Sequence, residues 1–135
     1  GFPGESDKDH LRTLEVLESA EIADAHVFPY SSRPGTSAAR FPDQVAVRNR
    51  IERAEELRGV ADAMARKHRQ VFVGAVRPVL WEGARGTSGL TDNYLRVRFE
   101  PGEIVRWAGH EGDHSIEDIK IDRLEGLQLI GSPAG

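Results

Sequence analysis

His26-Val-Phe-Pro-Tyr-Ser-Ser-Arg-Pro-Gly-Thr-Ser-Ala-Ala-Arg-Phe-Pro-Asp-Gln-Val45 decides how the first half of the chain reads. From Glu21 to Tyr30 the residues alternate. Ile22, Asp24, His26, Phe28 and Tyr30 fall on one side, and Ala23, Ala25 and Val27 on the other. That is the period of a β-strand. Pro29 to Ser31 then turns the chain, and Arg33-Pro-Gly-Thr36 is a loop built on ordinary Pro-Gly turn chemistry. Loops that leave a strand and enter a helix carry the functional side chains of many α/β folds. Tyr30, Ser31, Arg33 and Thr36 are therefore candidates here, beside Ser32. Arg33 has the fork that grips a phosphate or carboxylate. An exposed turn with no ligand is the alternative these residues leave open.

Upstream, Gly1-Phe-Pro-Gly-Glu5 is a turn, or a backbone cradle at a helix start. Ser6 is placed as an N-cap with Asp9 three residues later, and Leu11, Leu14 and Leu17 predict the buried face of the helix that follows. Downstream, Val47, Ile51, Ala54, Leu57, Ala61, Met64, His68 and Val71 recur every three or four residues, which predicts a helix over 44–72. Its other faces set seven basic residues, Arg48 to Arg69, against four acidic ones. Such a run is a solvated surface laced with ion pairs, or a contact for RNA.

From Gly74 the period turns to alternation. Strands are expected at Val76 to Glu82, Leu90 to Phe99, Glu103 to Gly109, Ile116 to Leu124 and Leu127 to Ile130, separated by turn residues. Five short strands in so few residues predict a small closed barrel, which has no free edges. Leu95, Val97 and Phe99 would point inward, and Tyr94, Arg96 and Arg98 outward. An aromatic with two guanidiniums on one strand is a surface for nucleic acid. An ordinary solvent face is the other reading. Residues 73–110 hold five arginines against four acids, whereas 111–135 hold two basic residues against six acids. RNA contact would therefore fall on the earlier strands. His110-Glu-Gly-Asp-His114 has the spacing of a zinc peptidase motif. That motif needs both histidines on one helix, and a turn is expected here instead.

The 135 residues carry a net charge of −4 and no cysteine. There is no overall basic signature, no disulfide and no thiolate to hold iron–sulfur clusters or act as a nucleophile. Neither a signal peptide nor an apolar span is visible, so the cytoplasm is expected.

Three motifs, in this order, resemble the C-terminal part of radical-SAM tRNA methylthiotransferases. They are Gly1-Phe-Pro-Gly-Glu5; His26 to Thr36 continued by Ala38 to Val45; and Gly89-Leu-Thr-Asp-Asn-Tyr-Leu-Arg-Val97. The His26 to Thr36 motif is most similar in form to the branch acting on threonylcarbamoyladenosine. The resemblance covers nearly the whole chain, most strongly residues 1–58 and 89–99.

The resemblance implies an α+β fragment. Residues 1–72 would be a helix–strand–long helix remnant of the radical-SAM (β/α) barrel, and 73–135 a TRAM domain, a five-stranded antiparallel OB-like β-barrel that binds tRNA. The parent would methylthiolate a modified adenosine next to the anticodon, using S-adenosylmethionine and two 4Fe–4S clusters. The cluster cysteines would lie upstream. The chain itself would hold no cofactor, metal or catalytic residue, and would be inactive alone. The implied roles give Tyr94, Arg96 and Arg98 to the tRNA anticodon stem-loop. Tyr30, Ser31, Arg33 and Thr36 would face the substrate, with Phe2 and Glu5 near the cofactor. Ser32, Ser37 and the acidic tail depart from the family pattern. A stand-alone RNA-binding module and a protein-interaction module are the rival readings. The severed edge at Ala25 to Tyr30 is expected to pair with a second copy, giving a homodimer through the N-terminal half, with no membrane partner.

Overall fold

The computed structural model describes residues 1–20, 22–82, 88–99 and 116–134. The chain divides into two compact units, Gly1–Ala65 and Arg66–Gly135. The division falls inside the long helix, a few residues before the expected 72/73 boundary.

The first unit opens on a tight turn. Glu5 N–H donates to Phe2 O, with Pro3 and Gly4 between them and Gly4 at φ 86°. Pro then Gly is the order a type II turn requires. Helix α1 follows, Asp7–Ser19, with the expected cap. Asp9 N–H donates to Ser6 Oγ (3.3 Å) and Ser6 N–H to Asp9 Oδ2 (2.9 Å). The buried face is rotated from expectation: His10 is buried and Leu14 and Leu17 are half-buried, while Leu11 is exposed. Helix α2, Val47–Gln70, buries Arg53, Ala54, Ala61 and Ala65. Val47, Ile51 and Val71 of the expected stripe are exposed. Small alanines form the contact face, and one arginine sits among them.

The strand expected over Glu21 to Tyr30 does not form. Glu21 lies outside the described residues, and Ile22 to Tyr30 has no ladder. A strand needs a neighbour to take its backbone groups. In its place α2 supplies arginines: Arg58 Nη2 donates to Val27 O (3.2 Å) and Arg50 Nη1 to Tyr30 O (3.3 Å). The alternation survives as burial, since Ala25 and Val27 are half-buried while Phe28 is 83% exposed.

The second unit is a closed barrel of β1 Val76–Glu82, β2 Ser88–Thr91, β3 Arg96–Phe99, β4 Ile116–Glu125 and β5 Gln128–Pro133, in the order β1-β2-β3-β5-β4. Val79, Val97, Ile119, Ile121 and Leu129 are fully buried in its core, and Trp81 stacks on Phe99 with ring centres 4.2 Å apart. The barrel is not all antiparallel. β3 and β5 run parallel, Val97 beside Leu129. Strand directions cannot alternate all the way round a closed ring of five, so one pair must be parallel.

The strand expected over Leu90 to Phe99 is two strands, β2 and β3, joined by a turn at Asp92 to Leu95. The expected strand at Glu103 to Gly109 and the His110 to His114 motif lie outside the described residues. Two glycines fit where the wall is tightest. A Cβ at Gly89 would come within 2.5 Å of Leu80 O, and one at Gly131 within 2.8 Å of Lys120 O. Among the described residues no helix is long and apolar enough to cross a membrane.

Candidate functional site

On the barrel unit, β3 carries the alternation that the sequence shows. Val97 and Phe99 point inward and Arg96 and Arg98 outward. The two arginines are not equivalent. Arg96 Nη2 donates to Glu82 Oε2 (3.1 Å) and Nη1 to Ser88 Oγ (3.3 Å), so its charge is neutralised across the sheet. Arg98 is exposed, and among the described residues no carboxylate pairs with it. Nearby on the barrel, Arg77 Nη2 donates to Asp92 Oδ1 (2.7 Å), and its guanidinium lies 5.4 Å from the centre of the Phe72 ring.

Tyr94 is not on the strand with the arginines. It sits in the β2–β3 turn at φ 63°, two residues before Arg96, and is 86% exposed. The turn is closed by Tyr94 N–H to Thr91 O (3.0 Å) and Thr91 N–H to Leu95 O (2.9 Å). Beneath it, Thr91 is buried. Its hydroxyl donates to Asn93 Oδ1 (2.6 Å) and accepts Leu95 N–H (2.9 Å).

The loop of the first unit separates its candidates into two kinds. Tyr30 and Phe2 are held in an aromatic cluster. Phe2 lies edge-on to Tyr30 and to Phe41, at 5.4 and 6.2 Å, and the Arg50 guanidinium stands 5.1 Å from the Tyr30 ring centre. The Tyr30 hydroxyl is buried and has no partner among the described residues. Thr36 serves its own turn. Its hydroxyl donates to Arg33 O (2.9 Å) and accepts Ala39 N–H (3.3 Å). Ser31 and the Arg33 side chain are exposed.

Glu5 belongs to the scaffold. Arg53 Nη1 donates to its Oε2 (2.7 Å) and to its backbone O (3.1 Å), while Nη2 reaches Asp7 Oδ1 (2.7 Å). Burial pushes the Glu5 carboxyl up, but hydrogen bonds from the Gly1 amine and Arg53 outweigh it and hold it below the usual range. Gly4 N–H is taken by Asp43 O (2.9 Å), so the Gly1 to Glu5 turn makes no open cradle.

Sequence reasoning missed what the α2 arginines do. Arg50, Arg53 and Arg58 staple loop carbonyls and carboxylates to the helix. It also missed His10, whose Nε2 lies 2.7 Å from Glu56 Oε2. Their charges were visible, but apart from the Arg50 bonds to Gln44 and Val45 their partners lie 20 to 48 residues away in sequence. Among the described residues no cluster of histidine and carboxylate groups could hold a metal ion.

No protein-family model matches the chain. Curated proteins do. The chain is 33% identical over 132 residues to a tRNA-2-methylthio-N(6)-dimethylallyladenosine synthase of Clostridium botulinum, covering 97% of this chain and 29% of that protein. It is 36% identical over 138 residues to the enzyme of the same name from Geobacter metallireducens, covering 99% and 30%. To the threonylcarbamoyladenosine tRNA methylthiotransferase of Bacillus subtilis it is 34% identical over 110 residues, covering 76% and 24%. The two branches fall in one narrow band of identity. The chain thus spans under a third of the length of the curated relatives it matches. By these similarities the curated homologues of the chain are tRNA methylthiotransferases, of both the dimethylallyladenosine and the threonylcarbamoyladenosine branch.

Proposed function

We propose that the chain is the C-terminal part of a radical-SAM tRNA methylthiotransferase, and that its barrel is a TRAM-like module gripping tRNA near the anticodon stem-loop. The observation that carries this is the outer face of β3. Arg98 stands exposed there beside Arg96, on a closed barrel with no sheet edge to offer another chain. The substrate would be a modified adenosine of that tRNA, and the protein would work in the cytoplasm. S-adenosylmethionine and two iron–sulfur clusters would supply the sulfur and radical chemistry. The chain has no cysteine, so its residues do not fit a cluster and no step of that chemistry is assigned to them.

In the intact protein Arg33 and Ser31 would meet the substrate, with Phe2 and Tyr30 forming the wall behind them. Glu5 and Thr36 would hold the backbone in place. For the chain alone, Phe28, Val16 and Leu11 leave apolar surface on the first unit, which favours self-association there. Light scattering would show a dimer that Phe28→Ser shifts toward monomer. An unshifted monomer would contradict this.

The function is tested by gel shift of an anticodon stem-loop at two salt concentrations. Binding that weakens as salt rises supports it. No binding at low salt, or unchanged affinity when Arg96 and Arg98 are both replaced by Ala, overturns it.

A further inference from the structure

Among the described residues, two that are not glycine adopt the left-handed conformation, Asp43 and Tyr94. Aspartate tolerates it, whereas a large aromatic side chain does so rarely. Glycine or asparagine would suit the position better. The Tyr94 ring is 86% exposed, so it contributes little to the barrel's packing. Yet its backbone is held in place. Tyr94 N–H donates to Thr91 O (3.0 Å), Leu95 N–H donates to the buried Thr91 hydroxyl (2.9 Å), and the Leu95 side chain is sunk in the core at 5% exposure. The turn therefore enforces a conformation that its central side chain disfavours. Strain held in this way is a mark of function.

We infer that Tyr94 is a fixed stacking platform for one unpaired nucleobase of RNA, presented by the Thr91 turn at the entrance to the arginine strand. The inference rests on the tRNA-binding reading and adds to it the part of the RNA that is read. A flat exposed ring with a fixed backbone offers a π-face at little ordering cost. Bases inside a duplex already have both faces stacked, so the ring selects a base that is out of the helix. The arginines do different work. Arg98 meets phosphate, and Arg96 does so only by leaving Glu82. Stacking is not electrostatic, so the Tyr94 contribution is insensitive to salt and the Arg98 contribution is not. The phenol hydroxyl has no part in stacking, which makes phenylalanine an adequate substitute.

The test titrates the 135-residue chain with three RNA probes of equal charge: a hairpin with a single-stranded loop, the same hairpin with abasic loop sites, and a blunt duplex. Wild type, Tyr94→Phe, Tyr94→Gly and Arg98→Ala are compared by fluorescence anisotropy at several salt concentrations, with a thermal melt of each. Tyr94→Phe should bind like wild type. Tyr94→Gly should lose about tenfold or more on the loop hairpin alone, with an unchanged salt slope and a melting temperature held or raised. Arg98→Ala should weaken binding to all three probes and lower the salt slope by about 0.7. If Tyr94→Gly binds the loop hairpin as tightly as wild type while Arg98→Ala still lowers the slope, the stacking platform is refuted and RNA binding by the barrel stands. If wild type binds none of the probes at low salt, both fall.

Discussion

Arg53 and Glu5, 48 residues apart, meet twice. One guanidinium nitrogen donates to both the carboxylate and the backbone carbonyl of Glu5, at 2.7 and 3.1 Å, while its twin reaches Asp7. The Arg53 side chain is only 10% exposed, so the α1 entry turn is fastened to α2 by a largely desolvated fork. Replacing Arg53 by Ala leaves Glu5 half-buried and without that partner, and should destabilise the first unit by about 2–3 kcal/mol. Lysine keeps the charge but cannot make the forked set, and should recover only part of this. Urea unfolding followed by helical circular dichroism reads both.

The Gly1 amine and Arg53 together give Glu5 a pH dependence. Glu5 is held below its ordinary value of 4.5, and Asp9 below 3.8 by the Ser6 hydroxyl and backbone. A depressed carboxylate stabilises the fold above its unfolded pKa, and that stability is lost as pH falls through the folded value. Helical signal should hold from neutral pH to about 5 and decline below the 4.5 and 3.8 reference values. In Glu5→Gln the decline should be shallower, and an identical acid profile would remove Glu5 as its source.

Two glycines should respond in opposite directions. Ala at Gly131 places a methyl against Ile119 Cγ2 and Lys120 O, and should destabilise the barrel by about 2 kcal/mol. Gly59, inside α2, has open space around its missing Cβ, and Ala there should stabilise by about 0.5–1 kcal/mol. Thermal melts of the two variants decide the matter.

Glu82 restrains Arg96, with 3.1 Å between their charged groups and both partly exposed. Glu82→Gln should release the guanidinium and tighten RNA binding, steepening its salt dependence by about 0.7. Unchanged affinity would show that Arg96 takes no part.

The barrel was largely legible because burial on a pleated wall leaves a period of two. Val97 and Phe99 inside against Arg96 and Arg98 outside follow from β3 alone. The break at Asp92 to Leu95 was hidden by parity. Gly89, Thr91, Leu95 and Val97 are all buried and all odd-numbered, so the tight turn leaves the alternation unbroken while it changes strand. The parallel pairing of β3 with β5 was also hidden, since a local period holds no information about the far side of a ring.

In the first unit, alternation over Ile22 to Tyr30 promised a strand that would need a neighbour. What took its carbonyls was a pair of helix arginines, Arg50 and Arg58, which the sequence had left to a solvated face or to RNA. Of the candidate site, Arg96 and Arg98 could be placed from sequence. Tyr94 was chosen for its ring, and its unusual backbone was visible only in three dimensions.

The strand order also governs timing. β5 pairs with β3 on one side and β4 on the other, and Val97 must wait for Leu129, far later in the chain. As the chain grows, β1 to β4 can only form an open sheet with two bare margins. The six residues Gln128–Pro133 are the stave that closes it. Closure is therefore a late, long-range event in folding. Lesions in this short strand should reveal themselves first as aggregation of newly made protein, before any loss of affinity in the molecules that fold.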